Sequence, residues 1–161
     1  MFGLTALGIV HTLISLVALA AGLVALLRNG AITLGGALGK VYWLTTLVTA
    51  ATGLGIFRHG GFGKPHMLSI LTIAVLLVAL AAGRTALFGR FSRYVEVVGY
   101  SATFLFHLVP GITETTTRLP LGAPLLPSAD APALQAMAGG LAVLFLVGAG
   151  LQILRLRATP A

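Results

Sequence analysis

The sequence predicts an all-α integral membrane protein, a compact bundle of five transmembrane helices, with four helices as the alternative. Of its 161 residues, 58% are hydrophobic and only 8% are charged, whereas a soluble domain carries about 25% charged residues. The mean hydropathy is +1.05. Several apolar stretches approach the ~20 residues that a helix needs to cross a ~30 Å hydrocarbon core. We therefore expect one transmembrane domain over residues 1–161.

Five apolar stretches define the expected helices, at Phe2–Leu27, Lys40–Phe57, Pro65–Leu87, Tyr94–Ile112 and Ala133–Leu154. The fourth stretch contains the polar residues Glu96 and His107, and we expect it to end at Pro110-Gly111. Strands are not expected, because an open sheet leaves unpaired backbone groups in lipid. The Pro-rich segment Glu114–Pro132 is predicted to be an irregular cap over the outer mouth of the bundle, with its leucines on the membrane interface.

Small residues recur at a spacing of four along these stretches, which lets helix backbones approach closely in lipid. The pairs are Ala18/Gly22, Gly35/Gly39, Thr49/Gly53, Ala79/Gly83 and Ala136/Gly140. Together they favour packed helices over separate ones. Tyr42 and Trp43, near the start of the second helix, fit an aromatic belt at the membrane interface.

The distribution of cations predicts the orientation. With five spans, one side of the membrane receives seven cations: Arg28, Lys40, Arg84, Arg90, Arg93, Arg155 and Arg157. The opposite side receives three: Arg58, Lys64 and Arg118. By the positive-inside rule the N-terminus is outside and the C-terminus is cytoplasmic. The expected location is the inner membrane of a bacterium.

The composition excludes several classes of protein. The chain has no Cys, which excludes disulfide scaffolds, iron–sulfur clusters and thiolate zinc sites. The net charge of +7 comes from scattered cations rather than a basic run, so a nucleic-acid partner is not expected. The sequence also lacks the H-E-x-x-H, P-loop, G-x-S-x-G and G-x-G-x-x-G motifs. Whether the protein is an enzyme stays open.

The four histidines all fall in the predicted outer half of the bundle. Ionisable residues inside a membrane are costly and by default raise a functional-site hypothesis. His11 and His107 lie deepest, and we expect them to face each other and form a cofactor site. His59, His66 and Glu114 make up a second candidate, an outer-face site for a divalent metal.

Three functional hypotheses follow from these histidines. Two imidazoles at one depth suit the axial ligands of haem b, which predicts a redox or electron-transfer protein with a quinone as a possible partner. The alternative is a non-enzymatic protein, either an accessory subunit of a membrane complex or a carrier of a small solute or ion. The metal site is the third hypothesis. In each case the lipid bilayer is the immediate partner.

The region from Gly8 to Gly83 resembles an uncharacterised bacterial family of small predicted multi-helix membrane proteins of unknown function. The resemblance is carried by three groups of residues: Val10-His11 with Ser15-Leu16 and Gly22, then Leu38-Gly39-Lys40-Val41-Tyr42, then Phe62-Gly63 with His66. Gly35-Gly36 stand where that family usually has a His-Arg pair. The resemblance implies a multi-helix membrane fold and no established activity.

Overall fold

The computed structural model describes residues 5–57, 61–85 and 87–158. These residues form five α-helices, which are α1 (Ala6–Asn29), α2 (Ala37–Gly53), α3 (Lys64–Arg84), α4 (Ser92–Arg118) and α5 (Pro132–Ala158). A short 3₁₀ turn precedes α4 at Gly89–Phe91. Within the described ranges there is no strand, so the all-helical prediction is confirmed.

The helices run up and down, because each helix packs against the next one in the chain. The most extensive contacts are those of α1 with α2 and of α3 with α4, whereas α5 packs chiefly against α4. One end of the bundle carries the irregular segment 119–131 and is called the Pro-rich end. The opposite end carries the arginine side chains at the ends of α1, α3 and α5 and is called the Arg-rich end.

Four of the five helices are long and apolar enough to cross a membrane, namely α1, α3, α4 and α5. The count of five transmembrane helices is therefore not confirmed, although four helices meet the length and hydropathy that a span requires. The second helix has 17 residues, which at 1.5 Å per residue gives about 26 Å, slightly less than the ~30 Å hydrocarbon core. Large apolar side chains such as Leu27 and Leu144 are exposed on the outside of the bundle, which suggests contact with lipid.

The predicted end of the fourth helix is wrong. Helix α4 continues through Pro110 to Arg118, so the irregular segment begins at Leu119 and not at Glu114. A proline inside a helix removes one backbone hydrogen bond, and hydroxyl side chains often satisfy backbone groups near such a break in membrane helices. Pro110 leaves the Phe106 carbonyl without its usual helical donor, and the Thr113 hydroxyl separately donates to the Val109 carbonyl at 2.8 Å within the same helix.

The other boundaries shift by a few residues, and local capping explains two of them. Thr5 caps α1 by accepting a hydrogen bond from the Gly8 amide at 3.1 Å, while residues 2–4 of the prediction lie outside the described ranges. Gly30, with φ of 71°, ends α1 in the left-handed conformation that glycine favours. The second helix begins at Ala37 rather than Lys40 and ends at Gly53 rather than Phe57.

The segment 119–131 folds back on the end of α4. The Leu126 amide donates to the Thr116 carbonyl at 2.9 Å, and the Leu125 amide donates to the Leu119 carbonyl at 3.0 Å. Leu121 and Leu125 have exposed fractions of 63% and 68%. This exposure agrees with leucines lying on a membrane interface. That this segment covers the outer mouth of the bundle stays a prediction.

Small residues bring the first, second and fourth helices close together. Ala18 is fully buried, and a Cβ atom at Gly22 would lie 2.7 Å from Phe104 and 2.8 Å from the ring of Tyr42. The Tyr42 ring is itself fully buried. The assignment of Tyr42 to an interfacial aromatic belt is therefore wrong, because the absence of a side chain at Gly22 leaves room for this ring inside the bundle.

Candidate functional site

Polar side chains line one side of α4 along nearly its whole length. They are Glu96, Tyr100, Thr103, His107 and Glu114, and we call this set the α4 stripe. Their spacings of four, three, four and seven residues keep all five within a sector of about 60° at 100° per residue. Tyr100, Thr103 and His107 are buried, whereas Glu96 is half-buried and Glu114 is exposed. The stripe therefore connects the two ends of the bundle through its centre.

At the centre of the bundle, α2 meets the stripe through Tyr42. The Tyr42 hydroxyl lies 2.7 Å from the Thr103 hydroxyl and 3.4 Å from the Tyr100 carbonyl oxygen. Thr103 and Tyr42 are both fully buried. The Tyr100 hydroxyl is also buried and has no hydrogen-bond partner among the described residues, which leaves a polar atom for a water molecule to satisfy.

His107 is held between two hydroxyl groups from different helices. Its Nε2 atom lies 3.1 Å from Oγ1 of Thr46 on α2, and its Nδ1 atom lies 3.3 Å from Oγ of Ser15 on α1. A neutral imidazole donates through one nitrogen and accepts through the other, and a hydroxyl does both. Either tautomer of His107 therefore fits this pair of partners.

His11 continues the polar path towards the Pro-rich end. Its Nδ1 atom lies 3.1 Å from Oγ1 of Thr52. The Thr52 hydroxyl donates to the Val48 carbonyl at 2.8 Å, so its oxygen is available to accept a hydrogen bond from Nδ1–H of His11. This assignment leaves Nε2 as the acceptor atom of the half-buried His11 ring.

His11 and His107 belong to one polar region but lie at different levels. Ser15, which contacts His107, comes one helical turn after His11 on α1. His11 therefore lies about one turn closer to the Pro-rich end than His107. Both nitrogens of His107 contact hydroxyl groups, so neither is free to ligate iron in this arrangement. The geometry favours hydrogen bonding over haem ligation.

Two of the three proposed metal ligands, His66 and Glu114, have other contacts within the described residues. The Nδ1 atom of His66 accepts a hydrogen bond from the Gly63 amide at 3.1 Å, and the ring lies 4.6 Å from that of Phe57. Glu114 instead forms a salt bridge with Arg118. His59 lies outside the described ranges. Within those ranges no group of three or more His, Cys, Asp or Glu side chains is arranged to hold a metal ion.

A second polar contact ties α5 to the bundle. The Ser101 hydroxyl donates to Oε1 of Gln152 at 3.0 Å, and Nε2 of Gln152 donates to the Gly30 carbonyl at 3.0 Å. All the polar atoms in this contact have partners from the protein itself. We interpret it as a structural connection between α5, α4 and the end of α1.

Sequence reasoning identified the histidines but missed their hydroxyl partners. Tyr42, Thr46, Thr49 and Gly53 follow one another at spacings of four, three and four, which places them on one face of α2. The same spacing runs along α4. Matching these two polar faces is the signal that identifies Tyr42 and Thr46 as partners of the α4 stripe.

Comparison of the chain with protein-family models, with curated proteins and with solved structures gives no match.

Proposed function

We propose that this protein conducts protons through the membrane along the α4 stripe, which is the ion-carrier alternative among the hypotheses from the sequence. The observation that carries the proposal is the placement of His107 between the Thr46 and Ser15 hydroxyls, at 3.1 and 3.3 Å. Chains of carboxyl, imidazole and hydroxyl groups inside membrane proteins are typical of proton pathways.

The chemistry of His107 suits such a pathway. When Nδ1 receives a proton from the Ser15 side, Nε2 releases its own proton towards Thr46, and the ring stays neutral in its other tautomer. Each hydroxyl gives up one proton as it gains another. The step changes no oxidation state, and the electrochemical gradient of protons is its only driving force.

The residues on either side of His107 supply a route to both ends of the bundle. Towards the Pro-rich end lie His11 and the exposed Glu114. Towards the Arg-rich end, the pair of Tyr42 and Thr103 hydroxyls at 2.7 Å leads to Tyr100. The half-buried Glu96 follows one turn beyond Tyr100. Water beside the unpartnered Tyr100 hydroxyl would complete this part of the route.

We further propose that the Arg-rich end faces the cytoplasm of a bacterial inner membrane. Seven cations at that end against three at the other support this orientation under the positive-inside rule. Protons driven inwards would then enter at Glu114 and leave at Glu96.

Proton flux into liposomes tests the proposal. The purified protein is reconstituted with a pH-sensitive dye inside the vesicles, and a potassium gradient with valinomycin sets the membrane potential. We expect the interior of the vesicles to acidify faster than the interior of protein-free vesicles. His107→Gln keeps hydrogen-bonding atoms but does not exchange protons at neutral pH, so we expect the flux to fall by on the order of a hundredfold.

The matched control is His66→Gln, which changes a buried histidine on α3 outside the stripe and should leave the flux unchanged. A wild-type flux equal to that of empty vesicles, or an unchanged flux in His107→Gln, would contradict the proposal. The haem and metal hypotheses stay predictions, and an absorption spectrum with elemental analysis of the same preparation tests both.

A further inference from the structure

A cavity of about 420 Å³ opens between α2 and α3 at the Arg-rich end, apart from the α4 stripe. It is lined by Leu34, Lys40, Trp43, Leu77, Leu80, Ala81 and Arg84. Lys40 lies in the first turn of α2, and Arg84 is the last residue of α3. Two cations therefore stand at the mouth of a cavity whose wall is otherwise mostly aliphatic.

The polar side chains that line this cavity are all hydrogen-bond donors. Lysine, arginine and tryptophan carry no side-chain acceptor. The Nε1 atom of Trp43 is buried and has no hydrogen-bond partner among the described residues, although a buried polar group normally has one. Neither Lys40 nor Arg84 forms a salt bridge with the carboxylates of the described ranges. The lining thus presents unsatisfied donors and positive charge. An anionic ligand with acceptor oxygens would satisfy both.

The apolar part of the lining adds a second requirement. Leu80 and Leu77 lie about one and two turns before Arg84 along α3, whereas Leu34 lies in the turn before α2. Leu77 has an exposed fraction of 48%. This order, cations at the helix ends and aliphatic surface deeper in the bundle, matches a lipid with a charged headgroup and acyl chains. Basic pockets between helices on the cytoplasmic side are sites where anionic headgroups bind.

A second cavity, between α4 and α5, lacks the cations of the first. It has a volume of about 200 Å³ and is lined mainly by α4 and α5 residues, including Leu105 and Leu144. Its polar groups, Ser101 and Gln152, already bond to each other, and no cation lines it. The features that favour an anion are therefore particular to the first cavity.

We infer that the cavity between α2 and α3 is a binding site for one anionic phospholipid, whose phosphate contacts Lys40, Trp43 and Arg84 while an acyl chain lies along the leucines. The inference is independent of proton conduction, because none of these residues belongs to the α4 stripe. A lipid bound at this site would cover part of the short helix α2.

Native mass spectrometry of the detergent-purified protein tests this site by titration with phosphatidylglycerol or phosphatidylcholine. We expect one phosphatidylglycerol to bind tightly and phosphatidylcholine to bind weakly. A cation near the membrane surface contributes about fivefold to the affinity for anionic lipid, so Lys40→Gln/Arg84→Gln should weaken binding about 25-fold. The control, Arg90→Gln/Arg93→Gln, removes two exposed cations from the same end outside the cavity and should keep the affinity.

Two further measurements distinguish lipid binding from two alternatives: a loss of binding caused by unfolding, and a site that binds the phosphate headgroup alone. Leu77→Trp fills the apolar part and keeps both cations, so it should weaken lipid binding while circular dichroism stays helical. Glycerol 3-phosphate alone should not compete at millimolar concentration. Equal loss in both double variants, equal binding of the two lipids, unaltered binding in Leu77→Trp, or competition by glycerol 3-phosphate would each overturn the inference.

Discussion

Nε2 of His107 on α4 lies 3.1 Å from Oγ1 of Thr46 on α2, and both side chains are buried. In lipid this contact satisfies two polar groups that would otherwise be costly to bury. It also joins two polar faces that are far apart in sequence. The relationship explains why the buried histidine is tolerated and identifies the step on which the proposed proton route depends.

The Tyr42 hydroxyl is the next group along that route. Tyr42→Phe keeps the ring that packs against Gly22 and removes the hydroxyl contacts with Thr103 at 2.7 Å and with the Tyr100 carbonyl at 3.4 Å. Because Thr103 is left without this partner, we expect unfolding to become easier by about 1–3 kcal/mol and the proton flux to fall about tenfold. Thermal unfolding in detergent and the liposome assay measure the two effects.

Tyr94→Phe is the matched control for this change. Tyr94 is half-buried at the start of α4 and lies outside the α4 stripe. Removal of its hydroxyl should leave both the unfolding temperature and the flux near the wild-type values. An equal loss of flux in the two variants would show that the Tyr42 hydroxyl has no particular role.

The close approach of three helices at Gly22 makes a separate prediction about stability. A Cβ atom in Gly22→Ala would lie 2.7 Å from Phe104 and 2.8 Å from Tyr42, so the two buried rings or the helices that carry them must shift at a cost of about 1–3 kcal/mol. In Gly140→Ala the new Cβ meets no atom within 4 Å, and alanine is the better helix former. Thermal unfolding should separate the two variants; equal stability would contradict the packing at Gly22.

The sequence predicts the helical architecture well because hydropathy reports burial in lipid directly. It does not predict the path of α4 through Pro110, because proline locally disfavours a helix interior, whereas the packing of α4 against α3 and α5 depends on the whole bundle. The length of α2 is similarly ambiguous. Its apolar stretch continues to Phe57, whereas the helix ends at Gly53.

The candidate site could be predicted only in part. The cost of burying histidine identifies His11 and His107 from the sequence, but the helical rotation and relative height that set their partners depend on packing. Ser15 meets His107 because small residues let α1 approach the other helices. The two imidazoles consequently lie a turn apart, which hydropathy alone does not reveal.

Cysteine labelling tests the proposed orientation, and the absence of native Cys removes background. Ser128→Cys introduces a thiol into the segment 119–131, and Leu87→Cys introduces one between α3 and α4. In intact cells an impermeant maleimide should label position 128 and reach position 87 only after the membrane is permeabilised. The reverse pattern would contradict a cytoplasmic Arg-rich end.

The most direct test of the proton route compares the liposome flux of Thr46→Val with that of Thr45→Val. Both variants replace one hydroxyl by a methyl group on neighbouring residues of α2. Thr46 contacts His107, whereas Thr45 donates only to carbonyls of its own helix. We predict that Thr46→Val lowers the flux about tenfold and that Thr45→Val leaves it unchanged. Equal flux in the two variants would contradict proton transfer between His107 and Thr46.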